Sequence, residues 1–134
     1  MFTEKFLIEE WDGNKRGDIA TDRTSLSQLE EDIKMLDGKR CSTLIVEGDN
    51  TSLTIGGGND KRYTAVFTVG VDEEFYNLIN EKGDEEAFVK IIAGGQAGDY
   101  PTKLCVSLDA ALEATREYAE TGKRSSNLLW EADF

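Results

Sequence analysis

Carboxylates are the reactive side chains this chain has in quantity: Asp and Glu number 27 against 15 Lys and Arg, and histidine is absent. Carboxylate pairs can serve as general acid and base, but an acidic surface offers many pairs and this sequence singles none out. Without histidine, the commonest general base near neutral pH and the commonest metal ligand are missing. Ser-His-Asp and Cys-His mechanisms are thereby excluded, as are zinc sites of the Cys/His type. Cys41 and Cys105 lie 64 positions apart and form no C-x-x-C pair, so two reduced, buried thiols are expected. The run Gly56-Gly57-Gly58-Asn59-Asp60-Lys61 lacks the spacing of a phosphate loop and does not open a helix with Lys-Ser/Thr. Its glycines and asparagine are what a hairpin loop with positive φ requires. Gly94–Gly98 has no cation beside it, and Gly48-Asp49-Asn50 does not reach the spacing of a calcium loop. No metal and no cofactor is expected.

The charge itself is the informative chemistry. A net charge of −12 repels DNA, RNA and anionic lipid, whose binding requires Lys and Arg against phosphates, and it attracts basic proteins. Residues 72–86 hold seven acids (Asp72, Glu73, Glu74, Glu81, Asp84, Glu85, Glu86) and one base, Lys82, which is −6 of the −12. A solvated loop that aids solubility is the plain explanation; a surface for a basic partner is the functional one. Phe75 and Tyr76 sit inside this segment, and aromatics ringed by charge anchor interfaces. A strand through them would bury Phe75 and expose Tyr76, making Tyr76 the partner-facing residue beside Asp72, Glu73, Glu74, Glu81, Asp84, Glu85 and Glu86.

The elements that must carry these residues follow from periodicity. Lys5–Trp11 looks like a strand ending in Asp12-Gly13-Asn14. Leu26, Leu29, Ile33 and Leu36 recur at helical spacing, with Ser25 or Ser27 as a cap and Gly38 as the stop. Short strands are expected at 43–47, 52–55 and 63–69 in an antiparallel meander, and again at 88–93. At 74–80, Phe75, Tyr76, Leu78 and Ile79 fit a helix turn as well as a strand, and the strand is preferred. A second helix begins after Ser107 and runs to Gly122. Leu128, Trp130, Ala132 and Phe134 alternate as one face of a final strand. The whole predicts an α+β fold: a single domain over residues 1–134, with about six to seven strands, predominantly antiparallel, packed with two main helices. Met1-Phe2-Thr3-Glu4-Lys5 shows no basic start before an apolar stretch, so no secretory signal is expected and the cytoplasm is the expected compartment.

Three features together resemble the bacterial polymorphic-toxin immunity proteins, type one among them. They are Leu53-Thr54-Ile55-Gly56-Gly57-Gly58-Asn59-Asp60 leading into Tyr63–Val69, a late helix after Val106-Ser107, and the closing Leu128-Leu129-Trp130-Glu131 after a Gly-Lys-Arg turn. The resemblance spans residue 43 to the end. It implies a cytoplasmic, contact-dependent-inhibition-like immunity protein, encoded beside a toxin, that binds the toxin's C-terminal domain and blocks it. It brings no catalytic residues; Gly56, Gly57, Gly58, Asn59 and Trp130 are its pattern positions, with structural roles. Toxins of such pairs are often nucleases or nucleic-acid deaminases, whose basic clefts an acidic partner complements. Two other classes stay open on the residues alone. One is an acidic adaptor or nucleic-acid mimic unrelated to toxins. The other is a small enzyme or ligand-binding domain, which would need a deep pocket with converging carboxylates.

Overall fold

A computed structural model describes residues 5–12, 15–21, 26–37, 41–48, 50–58, 61–70, 73–84, 86–93 and 96–133. In chain order the elements are β1 (Lys5–Asp12), β2 (Lys15–Thr21), α1 (Leu26–Lys34), β3 (Cys41–Glu47), β4 (Thr51–Gly57), β5 (Tyr63–Val69), β6 (Glu74–Leu78), β7 (Phe88–Ala93), β8 (Gln96–Pro101), α2 (Leu108–Thr121) and β9 (Trp130–Ala132). Nine of these strands and helices had counterparts in the sequence pattern; β2 and β8 did not. The expected cap Ser25, the stop Gly38, the turn Gly13-Asn14 and Phe134 lie outside the described residues.

Seven strands form one antiparallel sheet in the order β2-β1-β3-β4-β5-β6-β9, and β7 and β8 pair as a separate hairpin. The α+β class is as expected. The helical layer is less even than expected: α2, with 14 residues, is the one main helix, and α1 is a shorter piece of nine.

Register explains the core. Leu44 pairs with Ile55, Val46 with Leu53, Leu53 with Phe67 and Ile55 with Ala65. Directly paired residues share a face, so these apolar side chains form one buried layer, while Thr54, Thr64 and Val66 point the other way. Ile33 and Leu36, and Ala111, Leu112, Tyr118 and Ala119 of α2, close over that layer. The Tyr118 hydroxyl lies 2.8 Å from Thr51 Oγ1, which ties α2 to the start of β4. Burial pushes that phenol above its ordinary range, with the Thr51 hydrogen bond pulling the other way. Buried Thr115 donates to the Ala111 carbonyl at 2.8 Å, so its hydroxyl is satisfied within the helix.

Capping starts α2 where expected. Ser107 is extended, and its Oγ accepts from the Ala110 N–H at 3.2 Å. Ser107→Ala removes that acceptor and is expected to cost ~1 kcal/mol, whereas Ser107→Gly costs only a few tenths. Thermal melts of the two variants check it; equal melting temperatures would deny Ser107 its capping role. No described helix is long and apolar enough to cross a membrane.

Candidate functional site

The acids that are contiguous in sequence are not contiguous in space. Glu73 is exposed in the turn between β5 and β6, and Glu74 opens β6. Glu81, Asp84 and Glu86 are exposed in the segment beyond the other end of that strand. At ~3.3 Å per residue, β6 holds the two groups on the order of 15 Å apart. Asp72 and Glu85 lie outside the described residues.

The first group is tied into the sheet. Phe67 pairs with Tyr76, which turns Tyr76, not Phe75, towards the helical face. This reverses the expected split, because register with β5 and not local sequence decides which aromatic points inward. The Tyr76 ring lies 6.2 Å from that of Phe67 and packs against the core. Its hydroxyl donates to Glu74 Oε1 at 2.6 Å, and the Arg124 guanidinium carbon stacks 3.7 Å above its ring. The bond to Glu74 holds the phenolic proton and raises its pKa, followed by partial burial and the Glu74 charge, against the pull of Arg124. Glu74, Tyr76 and Arg124 therefore spend their chemistry on one another.

The second group stands on a braced loop. Asn80 donates its N–H to the Lys103 carbonyl at 2.8 Å and its side-chain amide to the Cys105 carbonyl at 3.0 Å. Thr102 Oγ1 accepts from the Asp84 N–H at 2.9 Å, and the Thr102 N–H donates to the Ala87 carbonyl at 2.7 Å. The Asp84 carboxylate accepts from the Glu86 N–H at 2.8 Å. Lys103, the base nearest this loop's anchor, is engaged by Glu131 at 2.7 Å. Backbone satisfied in this way holds Glu81, Asp84 and Glu86 in place without the entropy loss that ordering a loose loop would bring.

Sequence reasoning missed a further set of acids. Asp109, Glu113, Glu117 and Glu120 follow one another at spacings of four, four and three along α2, which is one helical face. Asp109 and Glu120 are exposed and Glu113 and Glu117 half-exposed. Arg116 on this surface is met by Glu30 of α1 at 2.6 Å. The i, i+4, i+8, i+11 spacing of these acids is the sequence signal that marks them as one face.

The remaining described candidates make contacts within the fold. Gly57 and Gly58 have φ of +98° and +101°, and the Gly58 N–H donates to the Arg62 carbonyl at 2.9 Å, so the glycine run closes a hairpin. Gly56 lies within β4; Asn59 is outside the described residues. Trp130 donates its Nε1–H to the Ser125 carbonyl at 3.1 Å and meets Phe67 edge-on at 6.5 Å. Burial pushes the Cys105 thiol up, opposed by Arg62, which keeps it protonated and a poor nucleophile. Cys105 is free and buried; the Cys41 side chain is outside the described set. A pocket of about 210 Å³ on the far sheet face is lined by Thr43, Thr54, Thr64 and Asn77 under Tyr100 and Leu104, with no carboxylate among its described lining. Among the described residues no group of three or more Cys, Asp or Glu is placed to hold a metal ion.

This arrangement can bind charge. A family model described as Immunity protein Imm1 matches residues 17–132, taking in most of β2 and all of α1 as well as the motifs from residue 43 onward. No curated protein matches the chain.

Proposed function

This chain belongs to the Imm1 family of immunity proteins, and from that premise we propose that it neutralises its cognate toxin without chemistry of its own, by laying the braced loop that carries Glu81, Asp84 and Glu86 and the outer face of α2 over a basic substrate cleft. The family makes the partner a toxin. A cleft that binds nucleic acid, in a nuclease or a nucleic-acid deaminase, must neutralise phosphates with Lys and Arg, and the carboxylates of Glu81, Asp84 and Glu86 would stand where phosphates stand. The observation that carries the reading is the bracing: three exposed acids on a loop whose backbone is fixed by Thr102, Lys103 and Cys105. Steering by complementary charge lifts association from roughly 10⁵–10⁶ towards 10⁸–10⁹ M⁻¹s⁻¹ at low salt, which suits an inhibitor that must outrun a lethal enzyme. The setting is the bacterial cytoplasm, in a system of the contact-dependent-inhibition kind.

Association kinetics test this. The variant Glu81→Gln/Asp84→Asn/Glu86→Gln keeps each side chain's size and the acceptor that Asp84 offers Glu86. Its association with the toxin domain is expected to fall about tenfold or more at low salt and to lose most of its salt dependence. Glu73→Gln/Glu74→Gln should change it far less. Identical association rates for triple variant and parent at every ionic strength would remove the loop from the interface.

A further inference from the structure

Beside the acidic loop the surface opens into a groove of about 390 Å³, with Ile79, Val106, Ala110, Leu128 and Leu129 as its apolar lining. A second hollow of about 410 Å³ adjoins it, sharing Ala110 and Leu128 and adding Asp109, Glu113 and Arg116. Each falls in the range of ligand-sized pockets, roughly 300–1,000 Å³. Leu129 is the unusual residue: it is 52% exposed, while its neighbours Leu128 and Trp130 pack against the core. Its backbone is fixed, since its carbonyl accepts from the Ile79 N–H at 2.9 Å. The Leu128 N–H and the Trp130 indole both donate to the carbonyl of buried Ser125. The apolar surface is thus preformed, and a partner covering it need not order it.

The rim says what the partner is like. Glu81, Asp109 and Glu113 border the two hollows, with Lys82 the opposing charge, because Arg116 is taken up by Glu30. We infer that this groove receives an apolar side chain of the toxin that is flanked by Lys or Arg, Leu129 being the buried centre of the interface and Glu81, Asp109 and Glu113 its charged ring. A second copy of this chain fits poorly, since a two-fold contact would set this acidic rim against itself. A ring of this kind divides the labour of binding: rim charges govern encounter, and the desolvated centre governs release.

The inference rests on the toxin-binding reading and sharpens it, and the same measurement separates the two. The probe is the catalytically disabled toxin domain from the neighbouring reading frame, with kinetics recorded by surface biosensor. Leu129→Lys is expected to weaken binding about 100-fold or more, chiefly through faster dissociation. Asn50→Lys makes the same charge change on an exposed residue at the opposite end of β4 and should stay within about threefold of the parent. On the unaltered chain, complex formation should slow hydrogen exchange at Lys82, Asn127 and Leu128. This second readout stands even if Leu129→Lys folds badly. Leu129→Lys binding as tightly as Asn50→Lys, or no protection at those amides, overturns the groove while leaving the toxin reading intact. No complex between the unaltered chain and the toxin domain overturns both.

Discussion

Phe67→Ala is expected to lower folding stability by about 3–5 kcal/mol, the range for removing a large aromatic from a packed core. Phe67 is 6% exposed at the middle of β5, and its ring contacts reach three other elements: Tyr76 of β6 at 6.2 Å, Tyr118 of α2 at 5.8 Å and Trp130 of β9 at 6.5 Å. Arg124 adds a cation 5.7 Å from the same ring. Edge-on and tilted aromatic pairs contribute about 0.5–1.5 kcal/mol beyond area burial, so the loss should sit at the upper end of the range. Against a total stability of roughly 5–15 kcal/mol, this places the variant near the edge of folding, with a melting temperature lowered by roughly 10–20 °C. The edge strand β9 is only three residues long and leans on Phe67 through Trp130, so it should loosen first. Its loss would carry away Leu129 and the anchor of Ile79. Urea unfolding at 25 °C checks the magnitude, and Phe67→Leu, which keeps most of the volume, should cost under ~1.5 kcal/mol. A Phe67→Ala midpoint within error of the parent would mean that the ring cluster adds little. In cells the same change should cut protection twice over, by reducing the folded fraction and by loosening the strand that follows Leu129.

How much of this was legible in the sequence depends on whether a residue's neighbours in the chain are also its neighbours in space. The strands at 51–57 and 63–69 show alternation because each buries one face against α2, and the helix after Ser107 announces its own cap. Lys15–Thr21 has no apolar alternation; it is a strand because β1 pairs with it along its whole length. Gln96–Pro101 contains Gly98 and Pro101, poor strand residues, and is held extended by β7. Tertiary pairing overrides propensity in both. The acidic segment is divided for the same reason in the opposite direction. Fifteen consecutive residues suggested one acidic patch, but β6 runs through the middle and separates Glu73 from Glu81. Meanwhile Glu81, Asp109 and Leu129, distant in sequence, come to rim two adjoining hollows. A linear chain shows charge density; only the register of Phe67 with Tyr76 and the path of α2 show which charges share a surface.

Gly58→Ala should be at least as damaging, for a backbone reason. Gly58 has φ of +101°, a region that costs an L-residue about 1–3 kcal/mol where it is enforced. An added Cβ would also fall on the carbonyl of Leu36 and within 2.7 Å of the Asp37 nitrogen. Those are main-chain atoms of the segment leaving α1, and Leu36 itself is 3% exposed in the core. They cannot swing aside as a side chain can, so strain and clash add, and a loss of about 3 kcal/mol or more is expected. Gly57→Ala shares the positive φ, but its closest main-chain neighbour, the Arg62 carbonyl, stands at 2.8 Å and Ile91 Cγ2 at 3.0 Å, a looser fit than at Gly58, so it should cost less. Gly98→Ala, with an ordinary φ and only the Tyr100 ring at 3.2 Å, should cost least of the three. Urea midpoints in that order would establish that the glycine run seats the β4–β5 hairpin against the exit of α1. Toxin affinity separates this from a contact role: folded Gly58→Ala should bind the toxin domain as the parent does. An affinity loss at Gly58 that exceeds its loss of stability would put the hairpin loop in the interface and move the binding surface away from Leu129.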